Sequence, residues 1–128
     1  MGLTSFSVLY YTYKHYKEVI SLFCYDEYMK RLAKEEIKNR LSQVSGWRVE
    51  QGSLCKDFIF KDFTTAFSFM AEAAKEAEKI NHHPDWSNSY NKVSIRLTTH
   101  SAGGLTDNDF SLARLANEAA QKLQRTTG

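Results

Sequence analysis

Val93-Ser-Ile-Arg-Leu-Thr-Thr-His100 alternates without a break: Val93, Ile95, Leu97 and Thr99 share one face, and Ser94, Arg96, Thr98 and His100 share the other. Alternation of this kind marks a strand buried on one side only, which belongs in an antiparallel sheet with water on its far face. Just upstream, Ser87 to Tyr90 and a turn at Asn91-Lys92 supply a hairpin partner. A second hairpin lies earlier, where Trp47 to Glu50 and Leu54 to Phe60 are joined at Gly52, and Leu54, Phe58 and Phe60 fall on one face. Two hairpins make four strands with one apolar face that must be covered.

Helices supply the cover. Between the hairpins, Asp62 can cap a stripe of Phe63, Ala66, Phe67, Met70, Ala74 and Ala77, which predicts a helix running to about Ile80 and serving as core or subunit interface. Ahead of the first hairpin, Ala33, Ile37, Leu41 and Val44 recur at helical spacing, with Gly46 placed to stop the helix. After Gly103-Gly104, Thr106 opens a third helix on Phe110, Ala113, Ala116, Ala120 and Leu123. The expected fold is α+β, a four-stranded antiparallel sheet with helices packed on one face, in the order α-β-β-α-β-β-α.

Residues 26–128 are expected to form that single domain and residues 1–25 an N-terminal extension of unknown role. Tyrosines 10, 11, 13, 16 and 25 crowd there, and Leu9, Tyr13, Tyr16, Ile20 and Phe23 sit at spacings of one helical face. Packing against the domain or another subunit is the reading for that face. No basic leader precedes an apolar run and Phe6 stands where myristoylation wants Ser or Thr, so no targeting signal is expected.

A chain of 128 residues with 25% charged and 42% hydrophobic residues can bury a core unaided. Its 17 basic and 15 acidic residues leave a formal charge of +2, and Lys30-Arg31 is the longest basic cluster, too little for direct nucleic-acid binding. Ser21 interrupts the longest early apolar run, Val19 to Tyr25, so no membrane span is expected. Cys24 and Cys55 are too few for a disulfide framework, which favours a reducing compartment.

Chemistry concentrates in the histidines. His82 and His83 follow the central helix directly, and His100 ends the long strand. Pro84 holds His83 extended, while His82 lies four residues after Glu78, within reach of that carboxylate if the helix runs one more turn. Each has a plain structural reading as well. His82 suits a helix C-terminus, His100 suits a polar strand end, and Asp109, three residues after Thr106, suits a capping box. Zinc is disfavoured, because adjacent His82 and His83 diverge in an extended loop and no fourth ligand stands at recognisable spacing. Neither cysteine lies in these segments, and no nucleophile elbow or phosphate-cradling glycine loop is present. The residues alone point to a metal-free site in which imidazoles exchange protons near neutral pH.

Glu78-Lys-Ile-Asn-His-His-Pro-Asp-Trp86, Tyr90-Asn-Lys-Val93, Thr98-Thr-His100 and Gly104-Leu-Thr-Asp-Asn-Asp109 together resemble the pterin-4a-carbinolamine dehydratases, also called dimerisation cofactor of hepatocyte nuclear factor. Gly46-Trp47, Phe60-Lys-Asp-Phe63 and Ala66-Phe-Ser-Phe-Met70 extend the likeness, from about Arg31 to Leu123. The resemblance implies dehydration of 4a-hydroxytetrahydrobiopterin to quinonoid dihydrobiopterin in tetrahydrobiopterin recycling, with no cofactor because the pterin is the substrate. By position it makes His82, His83, His100 and Asp109 the catalytic set, with Glu78 supporting His82. Substrate contacts carry over to Asn81, His82, His83, Pro84, Trp86, Thr98, Thr99, His100 and Ser101. Asn81, Ser101 and Asn108 depart from the residues common in animal members, but none of the three is a proposed acid or base. The resemblance further implies a homodimer or homotetramer in the cytoplasm and nucleus. It also implies a second activity, an adaptor binding the dimerisation helix of a homeodomain transcription factor through Phe63, Phe67, Met70 and Ala74.

Overall fold

The computed structural model describes residues 30–127; the tyrosine-rich stretch and the extension 1–25 lie outside them. Helix α1 spans Lys34–Leu41, strands β1 and β2 span Arg48–Glu50 and Ser53–Ile59, and helix α2 spans Phe63–Lys79. Strands β3 (Asp85–Ser89) and β4 (Lys92–Leu97) follow, then a 3-10 turn at His100–Ala102 and helix α3 (Asp107–Thr127). The four strands pair antiparallel in the order β1-β2-β4-β3, so each hairpin contributes one central strand. This is the expected α+β arrangement in the expected order.

The hairpins are built as the turn residues dictate. Gln51 and Gly52 both take positive φ, 49° and 75°, which matches the twist of the strands joined at Glu50 and Ser53. Across the centre, Leu54 faces Leu97 and Phe58 faces Val93, so the two alternating patterns coincide on one face. Strand β3 begins at Asp85, two residues before the expected start, and the turn falls at Tyr90-Asn91. Asn91 sets that turn by exchanging bonds with the end of β2: its carbonyl accepts from the Phe60 amide and its side chain donates to the Phe60 carbonyl.

Helix α1 is shorter than the hydrophobic spacing implies. It stops at Leu41 because Ser42 turns back onto the Asn39 carbonyl, leaving Val44 to reach the core from a turn. In α2 the buried face is Thr65, Ala66, Phe69, Ala73 and Ala77, while Phe63 and Phe67 are about half exposed and touch each other. Of the stripe read from sequence, Ala66 and Ala77 are core and Met70 packs against it, whereas Phe63 and Phe67 stay outside. Phe69 wins the inward position because Phe58 and Phe60 meet it at ring-centroid distances of 4.7 and 4.9 Å, and burying such a ring contributes roughly 1.5–3 kcal/mol. Helix α3 closes the layer with Phe110, Leu112, Ala113, Ala116 and Ala120. No helix among the described residues is long and apolar enough to cross a membrane.

Asp62 starts α2 as expected, accepting from the Thr65 amide at 2.8 Å and the Thr65 hydroxyl at 2.6 Å. The hydroxyl first, then the amide, hold its carboxyl below the ordinary value of 3.8. A lowered folded value means the cap stabilises above that pH and fails as pH falls through it. Asp62→Ala should thus melt below wild type at neutral pH, and the gap should shrink below 3.8 in a series of thermal melts.

Candidate active site

The site forms where the C-terminus of α2, the C-terminal end of β4 and the N-terminus of α3 converge. Helix α2 ends in a tight reversal: the Asn81 amide donates to the Glu78 carbonyl and the His82 amide to the Ala77 carbonyl. That pair of bonds needs a left-handed residue between helix and exit, and Asn81 supplies it at φ 50°. The reversal turns His82 inward, where it is 8% exposed, and leaves His83 outside. Asn81→Gly should be tolerated, whereas Asn81→Val should cost about 1–2 kcal/mol in a denaturant titration because a β-branched residue resists this backbone.

Asp109 is completely buried and joins the three elements. Its Oδ1 lies 2.6 Å from His82 Nε2, and its Oδ2 accepts from the Thr99 hydroxyl at 2.8 Å and the Thr106 amide at 2.9 Å. The hydroxyls of Thr99 and Thr106 meet at 2.8 Å. Asp109 is therefore both the expected helix cap and the partner of a histidine. A carboxylate only accepts, so Nε2 of His82 carries the proton in this bond and Nδ1 is the nitrogen turned away from Asp109.

Glu78 does not meet His82. Its Oε2 lies 2.7 Å from Nε2 of His83, because the left-handed turn at Asn81 carries His82 away from the helix surface and brings the next residue over it. The expected support is corrected to a Glu78–His83 pair in an exposed position.

Thr99 makes an isolated bridge with Gly104: the Thr99 amide donates to the Gly104 carbonyl at 3.1 Å and the Gly104 amide to the Thr99 carbonyl at 3.3 Å. The bridge closes a loop whose outer edge is His100, Ser101 and Ala102, with His100 and Ser101 exposed. Thr99 itself has its amide, carbonyl and hydroxyl committed inside the protein, while Thr98 is half-buried. Pro84 is half-buried beside His83, and Trp86 is half-buried against the core, paired with Ile95 across β3 and β4. The Thr106–Asp109 bond is the expected cap, whereas Thr99 as a second partner of that carboxylate is absent from the sequence reading. The available signal was a polar Thr99 on an otherwise apolar strand face. Cys55 sits elsewhere, buried in β2 with Arg96 Nη1 3.2 Å from its sulfur, and burial pushes its thiol up despite that cation. Among the described residues, no three His, Cys, Asp or Glu side chains gather as metal ligands would.

The α+β sheet layer fixes one buried histidine, His82, through a carboxylate, next to the exposed His83 and joined through Thr99 to the loop that carries the exposed His100. The comparisons with known proteins give this arrangement a family. The chain belongs to the pterin 4 alpha carbinolamine dehydratase family, whose sequence profile matches residues 30–119. A Rhizobium johnstonii protein provisionally named for that activity is 45% identical over 96 residues, covering 73% of this chain and 95% of its own. A Chelativorans protein with the same provisional name is 44% identical over 95 residues, covering 73% and 97%. A crystal structure from Brucella melitensis, described as a transcriptional coactivator/pterin dehydratase, superposes with a TM-score of 0.70 at 44% identity, covering 71% of this chain and 99% of that one.

Proposed function

We propose that this protein dehydrates 4a-hydroxytetrahydrobiopterin to quinonoid dihydrobiopterin, recycling the product of an aromatic amino acid hydroxylase. The observation that carries the reading is the buried Asp109, which ties the His82-His83 segment to the loop that holds His100. In the reaction the N5 lone pair forms the C4a–N5 double bond as the C4a–O bond breaks. The hydroxyl takes a proton and leaves as water, and N5 gives up its proton to a base. One acid and one base suffice, each worth about 10² to 10⁴ in rate, and no cofactor enters because the pterin is the substrate.

His83, oriented by Glu78, holds the pterin at the departing hydroxyl, and His82 through Nδ1 exchanges protons with His100. Asp109 keeps His82 in the required tautomer. Asn81, Pro84, Trp86, Thr98 and Ser101 line the substrate, whereas Thr99 positions the loop from inside. The test is product formation: quinonoid dihydropterin should appear faster than spontaneous dehydration allows, at a rate first order in protein. A rate independent of protein concentration would contradict the reading.

The exposed Phe63–Phe67 pair on α2 favours a second activity for the same chain. Through this face, with Met70 and Ala74, the protein would assemble as a homodimer or homotetramer or else bind the dimerisation helix of a homeodomain transcription factor, in cytoplasm and nucleus. One face cannot serve both uses at once, so partner and self-assembly should exclude each other in sedimentation of mixtures. The histidines stand apart from this face. Residues 26–128 would carry both activities, with 1–25 as an accessory extension.

A further inference from the structure

We infer that Arg31 is a positioning residue for the loop that carries His100, and that it acts through its hydrocarbon stem rather than its charge. This rests on the dehydratase reading of the site. The loop from Thr99 to Gly104 is held on one flank by Asp109, through the Thr99 hydroxyl. Its other flank is Gly104, which has no side chain of its own. Arg31 covers that flank: its Cδ and Cγ stand 2.7 and 3.0 Å from the point a Cβ on Gly104 would occupy. Next to it, the Leu32 amide donates to the Leu105 carbonyl at 2.8 Å, so the backbone is stapled to the loop where the stem crosses it. Leu105 and Thr106 beyond are buried, at 2% and 0% exposure, so the chain leaving the loop is anchored in the core.

The consequence is mechanical. Gly104 pairs with Thr99 through both backbone bonds, and His100 and Ser101 lie on the turn between them. Removing the stem frees Gly104 to move, and the displacement passes through the bridge to the exposed imidazole of His100. A Cβ at 104 would meet the Arg31 stem, so one of the two would have to shift.

Four variants separate this from a charge effect and from a general loss of structure. Arg31→Ala should lower kcat about tenfold, in line with the sensitivity of proton transfer to small misplacements, with a smaller change in KM. Arg31→Met and Arg31→Lys, which keep the stem, should stay within about twofold of wild type and keep its pH–rate profile. Gly104→Ala should be impaired in the wild-type background but close to neutral in the Arg31→Ala background, because the two substitutions compete for one space. Hydrogen exchange at the amides of Ala102, Gly103 and Gly104 should accelerate in Arg31→Ala alone among the Arg31 variants. Arg31→Met as impaired as Arg31→Ala, or Arg31→Ala indistinguishable from wild type, would overturn the inference. A wild-type protein without dehydratase activity would overturn the reading of the site instead, and the exchange measurement would then decide the clamp by itself.

Discussion

Asp109→Asn is expected to fold and to lose most of its activity, whereas Asp109→Ala is expected to lose stability as well. The carboxylate is fully buried and satisfies three donors from three elements: His82 Nε2, the Thr99 hydroxyl and the Thr106 amide. Removing it leaves the His82 N–H and the Thr106 amide without that acceptor in the interior, while the Thr99 hydroxyl can still turn to Thr106, and each buried donor left unmade costs about 1–3 kcal/mol. Asparagine keeps the shape and can still accept from Thr99 and Thr106 through its oxygen, but it then turns an N–H toward His82. His82 must present a lone pair on Nε2 to meet that donor, so its proton moves to Nδ1, the nitrogen the reaction uses. The catalysed rate should fall by about 10² or more while the denaturation midpoint stays nearer to wild type than that of Asp109→Ala. An Asp109→Asn protein with unchanged rate would show that the tautomer of His82 has no part in the chemistry.

The second large effect belongs to the exposed imidazoles. His83→Ala and His100→Ala remove side chains that hold up nothing in the core, so both should melt close to wild type, as surface substitutions usually do within about 0.5 kcal/mol. Their catalytic cost is another matter. Each should reduce the catalysed rate by about 10² to 10⁴, and the double variant should lose less than the product of the two, because residues that serve one transition state are not additive. Glu78→Gln tests the new pairing, since it alters the orientation of His83 without touching the buried His82. It should reproduce part of the His83→Ala defect and leave stability alone.

Most of the fold was legible because its deciding signals are local. The alternation from Val93 to Thr99 reads directly as a half-buried strand, and Gln51-Gly52 sits where a two-residue hairpin requires positive φ. The phase of α2 was harder. Phe63-Ala66-Phe67-Met70 and Ala66-Phe69-Ala73-Ala77 both satisfy helical spacing, and only the rings of Phe58 and Phe60 on the opposing sheet choose between them. The earlier start of β3 is likewise set across the sheet, where Asp85 and Trp86 stand in register with Arg96 and Ile95 of β4.

The site divides along the same line. Asp109 as a cap follows from three-residue spacing, and the histidines follow from their places at element ends. The identity of each carboxylate's histidine does not. Glu78 meets His83 only because Asn81 takes a left-handed conformation, and asparagine permits that turn without announcing it. Asp109 meets His82 across 27 residues, through the docking of α3 beside α2, which no local pattern encodes. Arg31 was read as part of a basic pair, and its packing over Gly104 depends on where the chain enters the domain.

The most direct test of the account is the decay of enzymatically generated 4a-hydroxytetrahydropterin, followed by its absorbance with wild-type protein beside His83→Ala and His100→Ala. The account predicts decay well above the spontaneous rate with wild type, and decay close to the spontaneous rate with either variant at equal folded concentration. Wild type that leaves the spontaneous rate unchanged, or variants that match an accelerating wild type, would contradict it.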